Sequence, residues 1–140
     1  MTTDRIARIR PGDVLPEIVN RCDTVQLFLY NAALWNAHRI HFDYPYATQV
    51  EGYPGLVLAG PLIGDWLTQC VIDWLAEDGQ LISVEYSNRR ASFVGDVLAA
   101  SGVVRAVDQT SRRVELELFV RTESGEVVAP GSAVVGFRAA

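Results

Sequence analysis

The chain has 140 residues, 49% of them hydrophobic, which allows one compact domain with its own core and excludes wholesale disorder. Its net charge of −5 argues against a nucleic-acid partner held through phosphate neutralisation. All twelve basic residues are arginines, and the lack of lysine excludes Schiff-base chemistry and a P-loop. No apolar run approaches the ~18 residues that would read as a membrane span. The charged opening "MTTDRIARIRPGD" lacks the apolar centre of a secretion signal, so a cytoplasmic location is expected.

In chain order, residues 1–22 read as an arm carrying a short strand, "DVLPEIV". Asp23 and Thr24 are both suitable N-caps for a short apolar helix, "VQLFLYNAAL". Residues 35–58 are rich in Tyr, Pro and Gly and read as irregular, with a turn at "EGYPGL". The clearest helix is "GPLIGDWLTQCVIDWLAEDG". Pro61 suits the first helical position, where no backbone donor is needed. Leu62, Ile63, Trp66, Leu67, Cys70, Val71, Trp74 and Leu75 recur at helical spacing in a stripe wide enough to be nearly enclosed. Gly79 is placed to end this helix in the left-handed conformation. Four β-rich segments follow, "LISVEYSN", "DVLAASGVVRAV", "RRVELELFVRT" and "EVVAPGSAVVGFR", with turns at "DQTSRR" and "ESGE".

One long buried helix followed by long antiparallel strands predicts an α+β fold. A curved sheet wraps the helix, the hot-dog arrangement, in a single domain over 1–140. Such a sheet leaves an edge strand to cover, so at least a homodimer is expected. Cys22 and Cys70 read as free, partly buried thiols.

The stretch "LWNAHRIHFDYPYA" holds both histidines of the chain, His38 and His41, between Asn36 and Asp43. Functional groups concentrate on loops held by a rigid scaffold. An imidazole there can take and return a proton near neutral pH. His38, His41 and Asp43 together offer metal-ligand chemistry. The H-x-x-H pair lacks the intervening glutamate of the zinc-protease pattern, and no metal is expected. Gly60 brings a bare backbone N–H to the start of the long helix, where it can polarise a carbonyl. Taken alone, "AGPL" reads first as an ordinary helix start.

These pieces resemble the MaoC-like hydratase/dehydratase family of hot-dog enzymes, the R-specific enoyl-thioester hydratases. That family carries D-x-N-P-L-H, then five residues and a small one. "NAHRIH" occupies the slot, with His41 on the catalytic histidine and Ala47 on the small residue. Asp43 matches the family's H-x-D. "LAGPL" matches its H-G-M-L, which places Gly60 on the oxyanion-hole glycine between Ala59 and Pro61. "FVGD" at 93–96 matches a strand signal of the same letters. Asn36 stands where the family has its catalytic aspartate, His38 and Arg39 stand on its Asn and Pro, and Ala59 replaces its histidine. The version seen here is similar to a branch holding mesaconyl- and itaconyl-thioester hydratases. Those proteins are typically two fused hot-dog halves, of which this chain resembles the catalytic one.

The resemblance implies reversible addition of water to the C2–C3 double bond of an enoyl thioester. No cofactor is implied beyond the coenzyme A or acyl-carrier-protein thioester itself. His41 is then the acid/base with His38 in reserve, Asn36 orients water or the imidazole, and Gly60 holds the oxyanion. Ala59, Pro61 and Asp43 are expected to line the substrate site. Arg39, Arg89 and Arg90 are candidates for a second substrate carboxylate. Two other readings stay open. One is a hot-dog thioesterase using Asp65; the other is a non-catalytic binding half of a heterodimer.

Overall fold

The long helix forms as α2, Gly60–Leu75, in a computed structural model that describes residues 4–139. Its buried side chains include Leu62, Ile63, Trp66, Leu67, Cys70, Val71 and Leu75, the stripe read from helical spacing. Ala76 ends the helix at a φ of 50°. Gly79, expected as the terminator, instead opens β2, Gly79–Tyr86. A Cβ there would run into the Gly136 carbonyl of the neighbouring strand, so close strand approach, not helix termination, accounts for this glycine.

The strands β1 (Ile18–Arg21), β2, β3 (Val97–Asp108), β4 (Arg113–Thr122) and β5 (Val127–Phe137) form one antiparallel sheet in the order β1-β3-β4-β5-β2. It curls as a half-barrel around α2, the hot-dog fold. The reason is visible along β4. Val114, Leu116, Leu118 and Val120 are buried, while Arg113, Glu115 and Glu117, which alternate with them, are exposed. Period-2 alternation gives the sheet one apolar face, and that face meets the apolar stripe of α2 in a single core with Leu98, Ala100, Val104 and Val135. Cys22 and Cys70 are free and buried, and burial pushes both thiols up to about 11.

The predicted first strand is displaced. Val14 makes a lone bridge to Val103, and regular pairing with β3 begins only at Ile18. Pro16, which has no N–H to give a ladder, sits between the two. The preceding arm docks through buried Ile6, Ile9 and Leu15, and Arg112 grips Asp4 with two bonds of 2.7 and 2.8 Å. Its residues 1–3 lie outside the described residues.

The helix α1, Thr24–Ala33, is capped by Asp23, whose side chain accepts the Gln26 N–H at 2.7 Å. Only Leu27 and Asn31 of α1 are buried; Val25, Phe28 and Leu29 face outward. No helix among the described residues is long and apolar enough to cross a membrane.

Because Leu67 is fully buried at the middle of α2, Leu67→Ala should lower the unfolding free energy by about 3 kcal/mol. Chemical denaturation measures this, and a loss below ~1 kcal/mol would contradict the enclosed position of the helix.

Candidate active site

The segment after α1 turns tightly twice. Residues Arg39–His41 make a 3-10 turn, with His38 as its N-cap. Asp43 then caps a π-helical turn, Tyr46–Val50, by accepting the Tyr46 N–H at 3.1 Å. Ala47, the small residue of the motif, is fully buried where the chain folds back and Tyr53 N–H bonds its carbonyl. A larger side chain at 47 would have to enter the packed interior.

These turns bring His41 against the segment that leads into α2, and two bonds clamp it there. Val57 N–H donates to the Ile40 carbonyl at 3.0 Å, and His41 Nδ1 lies 2.7 Å from the Val57 carbonyl oxygen. A carbonyl only accepts, so Nδ1 carries the proton and Nε2 of the neutral ring keeps its lone pair. The ring is 8% exposed. Burial holds its pKa below the ordinary imidazole value; the Val57 bond opposes this and nearby His38 adds to it. At neutral pH His41 is therefore a base with one directed lone pair.

Three residues after Val57, the chain enters α2. Buried Ala59 is its N-cap and gives no side-chain cap, and Pro61 has no N–H. The Gly60 N–H thus has no protein partner among the described residues, at the positive end of a 16-residue helix. A pocket of about 180 Å³ opens here, lined by Val57, Gly60, Ile63, Asn88, Arg89 and Ser92 among others; neither histidine lines it, and His41 adjoins it only through its bond to Val57. A Cβ on Gly60 would strike the Asn88 amide nitrogen, so any other residue here would push that side chain aside. A larger groove of about 550 Å³ follows the β1 edge past Glu17 and Arg121, but neither histidine nor the α2 terminus lines it.

The other sequence candidates divide. Asn36, half-buried, donates from Nδ2 to Asn31 Oδ1 at 2.9 Å and accepts the His38 N–H at 3.1 Å. His38 is exposed, with its ring centroid 5.8 Å from that of His41. Arg39 directs Nε and one terminal nitrogen to Asp43 Oδ2 at 3.0 and 2.8 Å and lies 4.1 Å from the Tyr46 ring centroid. The Arg39 guanidinium holds the Asp43 carboxyl below the usual carboxylate range, helped by the Tyr46 N–H. That pair fastens the two turns together. Arg90 pairs with Glu126. Arg89 uses only Nε, toward Ser87 Oγ at 2.9 Å, and its terminal nitrogens have no protein partner among the described residues. Pro61 is exposed beside Gly60. Asp65 accepts the Tyr30 hydroxyl at 2.6 Å, one turn into the helix.

Three elements of the site escaped sequence reading. The Val57 carbonyl is a backbone group, and no residue type announces it. Asn88 lies in a segment whose path over Gly60 depends on the sheet. Asn31 had a faint signal, an amide inside an apolar helix five residues before Asn36.

Residues 12–94, more than half of the chain and the whole of this site, match the family model described as hydroxyacyl-thioester dehydratase type 2. The chain belongs to that family. Hydroxyacyl-thioester dehydratases of type 2 fall among the R-specific enoyl-thioester hydratase/dehydratases of MaoC-like hot-dog type, which are hydro-lyases. A stretch of 37 residues is 62% identical to the mesaconyl-C(4)-CoA hydratase of Chloroflexus aurantiacus; it makes up 26% of this chain and only 13% of that relative. The fold is that of the (R)-hydratase from A. caviae involved in PHA biosynthesis, with a TM-score of 0.84 at 18% identity, covering 94% of this chain and 98% of that one. It is also similar in fold to a chain of the ChsH1-ChsH2 complex from Mycobacterium tuberculosis, with a TM-score of 0.80 at 18% identity, covering 92% and 98%.

In this type 2 dehydratase family member, nuclear magnetic resonance should place the His41 midpoint below 6.5, and His38→Ala should move it upward by removing a neighbouring positive charge. A midpoint above 6.5 would contradict the buried, neutral ring.

Proposed function

We propose that this chain catalyses the reversible hydration of a 2-enoyl-coenzyme A thioester to the 3-hydroxyacyl thioester. The observation that carries the reading is the clamp. A buried imidazole donates from Nδ1 to Val57, three residues before an uncapped helix start that exposes the Gly60 N–H.

The chemistry follows from these groups. The Gly60 N–H takes the thioester carbonyl, which makes C3 electrophilic and lets the oxygen receive charge as water adds. One such backbone donor contributes ~3 kcal/mol to the transition state at comparable sites. His41 Nε2 accepts the proton of the attacking water and returns it to C2. Asn36 exchanges no proton at neutral pH; its remaining N–H orients the water. Dehydration is the same path reversed. Arg39 is occupied by Asp43, so Arg89 is the cation left at the pocket for any further carboxylate of the acyl group. The net charge of −5 favours coenzyme A as the carrier over the broad acidic surface of a carrier protein.

The assembly is a dimer with a second hot-dog chain. The apolar outer face of α1 continues into Trp35, which is 94% exposed, and the outer edge of β2 has no neighbour among the described residues.

Purified protein given crotonyl-coenzyme A should consume the enoyl absorbance and release no thiol. His41→Ala should lower kcat by at least ~100-fold with the fold intact. Release of free thiol would point to a thioesterase instead, and near-wild-type turnover of the His41 variant would remove the imidazole from the mechanism. For the wild type, the base must be neutral and its pKa is lowered, so kcat/KM for hydration should stay flat as pH falls to 6.5 and drop only below it.

A further inference from the structure

Asn31 is 2% exposed and is the only buried polar side chain of α1. Its Nδ2 donates to the Leu27 carbonyl at 2.8 Å. Its Oδ1 accepts Asn36 Nδ2 at 2.9 Å, and its own carbonyl accepts the Asn36 backbone N–H at 2.8 Å. Asn36 Oδ1 in turn accepts the His38 N–H.

The direction of this chain of bonds is set at its first link. Leu27 offers a carbonyl, which can only accept, so the Asn31 nitrogen must face it. The Asn31 oxygen then faces position 36 and demands a donor there. An amide supplies one; an ionised carboxylate does not, and would set two acceptors against each other in a half-buried place.

We propose that Asn31 is a positioning residue that fixes position 36 as a neutral hydrogen-bond donor, so that His41 is the one proton-transferring side chain of this site. This rests on the water-orienting role given to Asn36 above. The helix carbonyl of Leu27, relayed through Asn31, sets which way the Asn36 amide points. The second N–H of that amide has no protein partner among the described residues.

Two measurements test it, and the first makes no use of activity. In Asn36→Asp, the introduced carboxyl is titrated by carbon-13 resonance, with Asn31 retained and with Asn31→Ser. A serine hydroxyl can rotate to donate, so it relieves the conflict. The carboxyl should titrate about one pH unit or more higher with Asn31 present than with serine. Equal midpoints in the two backgrounds would overturn the relay, since burial alone would act on both.

The second measurement is kinetic. Asn31→Leu should lower kcat about tenfold with KM within about twofold, and Asn31→Ser, which can still accept from Asn36, should recover most of the rate. Equal losses in both variants, or a loss confined to KM, would overturn the positioning role. If the wild type hydrates no enoyl thioester, the proposed function fails while the titration still judges the relay.

Discussion

The hydrogen bond between His41 and the Val57 carbonyl is the constraint on which the site depends. It is short, buried and reinforced by the Val57 N–H to Ile40, so the histidine segment and the residues leading into α2 hold each other. The same bond fixes the tautomer. With the Nδ1 proton engaged, the only lone pair of the ring lies on Nε2. Burial, which would ordinarily threaten an imidazole with an unpaired polar atom, here keeps the ring neutral and basic at physiological pH. The helix terminus three residues downstream adds the complementary group, a backbone donor with no competing cap.

The surrounding fold exists to make that terminus rigid. The α2 stripe is enclosed by alternating apolar residues of β3, β4 and β5, so the helix cannot shift without opening the core. Asn88 reaches Gly60 because β2 runs along β5 and releases the 87–92 segment over the helix start. Arg39 and Asp43 fasten the two loop turns, with Tyr46 beneath the guanidinium.

Much of this was legible in the chain itself. Spacing of Trp66, Leu67, Cys70 and Val71 announced a nearly enclosed helix, and alternation through Val114, Leu116, Leu118 and Val120 announced a one-sided sheet. The order of "NAHRIH", "LAGPL" and "FVGD" announced the family. What stayed hidden follows a pattern. Gly79 reads as a helix stop because its real reason, contact with the Gly136 carbonyl, lies 57 positions away. The Arg39–Asp43 pair stays hidden because it needs the intervening turn to form. The Val57 carbonyl and the polarity that Leu27 imposes on Asn31 are backbone properties that no side-chain letter encodes.

The chemistry of this site stands on the state of one ring. Nitrogen-15 resonance of His41 at a pH above its titration should show a protonated Nδ1 and an unprotonated Nε2. A ring protonated on Nε2 would mean that the Val57 bond is absent in solution, and the base assigned to this site would have no lone pair to offer.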